Sequence, residues 1–105
     1  MEAMNNAALQ AFFDKFGNRI SAIVFDNKNI LYIGHPSAPV KTVDELILET
    51  IGGCDFVGVP VPPTDPKARE KGVMFTHYHP TSFIQAICTS DENHPDYLVD
   101  PFNFG

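Results

Sequence analysis

Apolar positions change their rhythm several times along this chain. In "NNAALQAFFDKFG", Leu9, Phe12, Phe13 and Phe16 recur at i, i+3, i+4 and i+7, which is one face of a helix. Asn5 or Asn6 can cap its start, Met4 can pack on Leu9 as a staple, and Gly17 can take the left-handed conformation that ends it. The spacing predicts a helix at about 6–16. The period then drops to two. Ile20, Ala22 and Val24 alternate with Ser21, Ile23 and Phe25, "DNKN" supplies turn chemistry, and "ILYIG" resumes the apolar run. This predicts a hairpin with strands at about 19–26 and 29–34.

"HPSAP" breaks the pattern. In "TVDELILETIGG", Thr42 and Glu45 make a capping box, and Val43, Leu46, Ile47 and Ile51 form a helical stripe stopped by Gly52 or Gly53. A short helix is expected at about 42–51. "CDFVGVPV" is β-rich, but Pro60 cannot donate to a ladder, so an edge strand or a strand end is expected. "PPTDPKAREKG" is a loop with a helical turn at "PKAREK". "VMFTHYH" and "FIQAICTS" then predict a second hairpin about "PTS". The tail, "DENHPDYLVDPFNFG", has no period. Its Tyr97, Leu98, Val99, Phe102 and Phe104 are too apolar for a free tail, so it is expected to pack on this protein or on a neighbouring copy. The class is α+β, mainly β. An N-terminal helix precedes a strongly bent, five-stranded antiparallel sheet or small open barrel, with a short helix inserted between strands two and three.

With 105 residues, one domain is expected, comprising a core over 6–90 and a tail over 91–105. No apolar run approaches the ~20 residues of a membrane helix. The N-terminus carries acids and asparagines where a signal peptide has a basic region and an apolar block. A soluble, cytoplasmic protein with no membrane partner is expected. Cys54 and Cys88 lie in apolar runs without C-x-x-C spacing and read as buried free thiols. Net charge is −6, and it is uneven: residues 72–105 hold four acids and no base. Nucleic-acid binders usually carry a basic excess, because phosphate contacts supply most of their affinity, so the charge counts against that class.

Candidate chemistry centres on "THYHPTS". His77 and His79, at i and i+2 on a strand, point to one face. A zinc site would need further ligands from His35, His94, Cys54 or Cys88, and none of the recognised ligand spacings is present. No metal or cofactor is expected, and the two histidines read as polar residues on the wet side of a half-buried hairpin. Asp26, Asp44, Glu45 and Asp55 each lie near a turn or cap. Ser82 and Cys88 near His77 lack a nucleophile elbow or oxyanion motif. No enzyme activity is expected. Lys67, Arg69 and Lys71 would line one face if extended, as a solvated loop or as a phosphate or partner contact.

Three stretches together carry a resemblance. They are "LQAFFDKFGNRISAIVFDNKNILYIG", "CDFVGVPV" and "VMFTHYHPTSFIQAICTS". Their order resembles the Sm/LSm-like family, including the bacterial host-factor RNA chaperone: a helix, then five bent strands, the last two joined by a very short turn. About twenty residues, "HPSAPVKTVDELILETIGGC", interrupt the family's passage from strand two to strand three. The resemblance implies a closed ring of five to seven subunits. In such a ring the fourth strand of one subunit pairs with the fifth of the next. It also implies a pore that grips single-stranded RNA or DNA, RNA being favoured. The implied contacts are His35 in the first loop and His77, Tyr78, His79, Thr81 and Ser82 at the second. An oligomeric scaffold without nucleic acid is the alternative, favoured by the charge, and a small metal protein is the third reading.

Overall fold

The computed structural model describes residues 3–26 and 29–91. Helix α1 spans Asn6–Phe16; the Asn5 side chain caps it by accepting from the Ala8 N–H at 2.8 Å, and Gly17 follows at φ 52°. Its stripe works as expected, with Leu9 and Phe13 buried and Phe12 and Phe16 packed against the core. Strand β1, Ile20–Phe25, is buried on both faces and pairs antiparallel with β2, Ile30–Tyr32.

The helix expected at 42–51 does not form. Val43–Glu45 makes one 3₁₀ turn, and Ile47–Ile51 is a strand, β3. Two glycines decide the matter. Gly52 and Gly53 both take positive φ, 61° and 81°, which is the backbone of a two-residue hairpin turn. They pair Ile51 with Cys54, and β3 runs back along β4, Cys54–Val61. The glycines therefore turn a hairpin and do not stop a helix. Glu45 still does its capping work, with Oε2 accepting from the Thr42 N–H at 2.8 Å. Of the two positions expected from Pro60, the edge strand does not occur, since β4 is the central strand of its sheet, and the strand end does, since β4 stops at Val61. β3 ends opposite Gly58, so on that side Pro60 has no strand to bond.

The loop after β4 contains α2, Pro66–Glu70, capped by Asp65 and begun by a proline, in line with the helical turn expected there. β5, Phe75–Pro80, and β6, Ile84–Thr89, were expected to form a hairpin, and they do not. β5 pairs with β4, while β6 pairs with β1. A 3₁₀ turn over Thr81–Phe83 carries the chain from one sheet to the other. The described residues thus form six strands in two three-stranded antiparallel sheets, β2-β1-β6 and β3-β4-β5, where five strands in one sheet were expected. The sheets do not close into a barrel. The core lies between them and under α1, around Leu9, Ile23, Phe25, Val40 and Val57. No helix of the described residues is long and apolar enough to cross a membrane. The tail beyond residue 91, including His94, lies outside the described residues.

Candidate functional site

Apart from the basic trio on α2, the candidate residues fall in three places. The first is the end of the β3-β4-β5 sheet, where the β3–β4 tip, the 3₁₀ turn after β5 and the start of α1 meet. Asn6 ties them together. Its N–H donates to Asp55 Oδ2 at 2.8 Å, its Nδ2 donates to the Glu49 carbonyl at 3.0 Å, and its Oδ1 accepts from Thr81 Oγ1 at 2.6 Å. Thr81 is wholly buried, so its hydroxyl is a structural bond and faces no opening. The Asp55 carboxyl lies below its ordinary range because the Asn6 N–H and then the Thr50 hydroxyl stabilise the anion. Ser82 and Phe83 remain exposed beside this knot.

The second place is β5 itself. His79 lies opposite Val57 and His77 opposite Val59, both of which are core residues. Cross-strand partners share a face, so both histidines sit on the core side of the sheet, at its margin. This corrects the wet-side reading for His79, while His77 keeps its exposure. His77 is exposed and His79 is half-buried, its ring stacked on Phe25 at 4.5 Å between centroids and 20° between planes. Burial, and secondarily the neighbouring His77, push the His79 pKa down. Tyr78 points to the opposite face and lies over Gly58, where a Cβ would meet Tyr78 Cε1 at 2.9 Å.

The third place is a cleft of about 450 Å³ between β2, the loop after it and the far end of β4, walled by Leu31, Tyr32, His35, Pro39, Val59 and Val61 among others. A β-turn holds the loop, with the Ala38 N–H donating to the His35 carbonyl at 2.9 Å. Lys41 Nζ donates to the carbonyls of His35 and Pro36 at 3.1 and 3.0 Å. His35 Nδ1 accepts from the Ser37 N–H at 3.2 Å and sits 2.7 Å from Ser37 Oγ, so Nε2 carries the proton of the neutral ring. Val59, in the wall of the cleft, is the cross-strand partner of His77. Thr81 and Ser82 lie at the other end of the sheet, so the structure does not bring His35 to them.

The basic trio is divided as well. Lys67 and Arg69 belong to α2 and Lys71 ends it, so the extended arrangement does not occur. On a helix Lys67 and Lys71 share a face while Arg69 turns away, and Arg69 Nε donates to the Pro63 carbonyl at 2.7 Å. Among the described residues, no three of His, Cys, Asp and Glu come together to hold a metal ion. Cys54 is exposed at the hairpin tip, not buried, and Cys88 is half-buried, with burial raising its pKa.

Sequence reading missed the Gly52–Gly53 turn and the role of Asn6. Two glycines between two β-branched runs were a usable hairpin signal. Asn6 gave no signal, because its partners lie 43 to 75 residues away. Comparison with protein-family models, with curated proteins and with solved structures found no match.

Proposed function

We propose that this chain is the subunit of an Sm-like ring that binds single-stranded nucleic acid, RNA in preference to DNA. One observation carries the reading: β5 and β6 are consecutive strands, yet each is the outer strand of a different sheet. Among the described residues neither pairs with a strand on its outer side, and the outer strands β2 and β3 stand at the opposite flanks of the two sheets. Open edges invite pairing with another chain. When the two differ, β5 of one copy adds to β6 of the next, a head-to-tail contact that closes into a ring if the rotation per subunit allows. Counting β2 and β3 as halves of the interrupted second strand, β4, β5 and β6 take the places of the third, fourth and fifth strands of that family. Nucleic acid would then meet the subunit at its exposed polar and aromatic groups, His77, Tyr78 and Ser82, with Lys67 and Lys71 offering charge. Repetition around a ring strengthens weak contacts by avidity.

A second reading is a ring or other oligomer that acts as a protein scaffold. The net charge of −6 and the dispersal of the basic trio favour it. Absolute mass from light scattering on a sizing column tests the assembly. About five to seven times the 11.6 kDa subunit is expected, and a monomer sinks both readings. Salt-sensitive retention of an oligo-U or oligo-A strand then separates them, since phosphate contacts release counterions and scaffolding does not.

A further inference from the structure

We propose that the His79–Phe25 stack is an acid-sensitive latch, which holds the crossover between the two sheets when the imidazole is neutral and lets it go when the imidazole is protonated. The stack sits where the sheets join. Phe25 ends β1 and is 2% exposed; His79 is the last residue but one of β5. The ring centroids are 4.5 Å apart, and this contact bridges strands of different sheets. Immediately after it, Pro80 and the turn Thr81–Phe83 lead into β6, whose Ile84 pairs with Phe25 across an irregularity in the ladder. Phe25 therefore touches both ends of the crossover, through its ring at one end and its strand pairing at the other.

The groups around the stack make a charged His79 costly. From β4 it faces Val57, which is fully buried. On its own strand the titratable neighbour on the same face is His77, which would add a second positive charge. Two carboxylates flank the area and both are engaged. Asp55, beside Val57 on the same face, accepts from the Asn6 N–H and the Thr50 hydroxyl, and Asp26, next to Phe25, accepts from Gln85 Nε2 at 2.9 Å. From α1, the uncharged Asn6 enters this knot by accepting from Thr81 Oγ1. The Phe25 ring face attracts an imidazolium. Burial beside Val57 and repulsion from His77 oppose that attraction.

The direction with pH follows. His79 has a folded pKa below its ordinary value of 6.5. Its contribution is complete above that value and is lost as pH falls through it toward the folded pKa, because the opened state binds the proton more tightly. The latch holds near neutral pH and yields on acidification. It governs the geometry of the β5 and β6 edges whether or not the chain assembles.

An NMR titration of the full chain, with histidine Cε1 and phenylalanine ring positions labelled, tests this. His79 is expected to titrate at lower pH than free histidine, and the ring-current-shifted Phe25 signals are expected to move to unstacked positions with the same midpoint. An ordinary or raised His79 midpoint overturns the proposal, as do Phe25 signals that stay put while His79 titrates. His79→Phe keeps an aromatic partner without a titrating group, and its Phe25 signals should be flat over the same range. If that variant does not fold, the wild-type titration alone decides. The readout belongs to one subunit, so a failed latch and a failed ring are told apart by the measured mass.

Discussion

β1 and β3 are both short apolar strands rich in isoleucine, yet they live in different surroundings. β1, "ISAIVF", is central in its sheet; Ile20, Ala22, Ile23 and Phe25 are all buried, beneath α1 and against the second sheet. β3, "ILETI", is an edge strand with four of its five residues exposed, Ile47 at 39% and Ile51 at 49%. The difference lies in what covers each strand. β1 has β2 and β6 on its flanks, while β3 has β4 on one flank only. Glu49 stands between the two exposed isoleucines, a charge that discourages edge-to-edge pairing. An apolar run therefore says that a segment can be a strand, and its neighbours decide whether it is core.

The sharpest way to break this comparison is to truncate one isoleucine in each strand. Ile23→Ala should cost about 2–5 kcal/mol in chemical denaturation, because a wholly buried side chain leaves a cavity. Ile51→Ala should stay within about 0.5 kcal/mol, as exposed positions do. A large loss at Ile51 would mean that the outer face of the β3-β4-β5 sheet is covered in solution. Next comes Gly58→Ala, which tests that same face. The new Cβ would stand 2.9 Å from Tyr78 Cε1 and 3.0 Å from Thr76 Cγ2, so a loss of roughly 1–3 kcal/mol is expected from thermal melts. Adding Tyr78→Ala should return part of it, since the ring is the nearer obstacle.

At the hairpin tip, Gly53→Ala forces a side chain into a backbone with φ 81°, although nothing crowds it. A loss of about 1–2 kcal/mol is expected, from backbone strain alone. A neutral result would show that the turn relaxes easily and that β3 is held by more than its glycines. The smallest effect concerns Asp55. Its pKa is lowered by the Asn6 N–H and the Thr50 hydroxyl, so its contribution is present above the ordinary value of 3.8 and fades as pH falls through the lower folded value. Asp55→Asn should flatten the acid limb of the stability curve, measured as melting temperature against pH. An unchanged limb would assign the acid loss to other carboxylates.

α1 was legible, at about 6–16 with Asn5 or Asn6 as its cap and Gly17 as its stop, because its cap, stripe and stop each depend on residues close in sequence. The segment at 42–51 was misread for a related reason. Its apolar residues fit a helical stripe, its capping box is genuine, and Ile47, Glu49 and Ile51 also fit one face of a strand. The glycine pair chose between the two, by accepting positive φ in tandem. The candidate site was harder to read. "THYHPTS" was expected at the tight end of a hairpin and lies instead at a crossover between two sheets, where its residues do unlike things. Thr81 is bonded inside, Tyr78 covers Gly58 on one face, and His79 stacks across a seam on the other.

The sequence by itself determined the local elements: the helix, the alternating first strand, the capped turn at 42–45 and the proline-started α2. Each depends on interactions within a few residues. Only the tertiary structure decided that β5 and β6 part company into two sheets, that His79 meets Phe25 and that Asn6 binds residues 43 to 75 positions away. Strand pairing and sheet packing choose among distant partners by burial and hydrogen-bond satisfaction across the whole molecule, and no short window of sequence contains both members of such a pair.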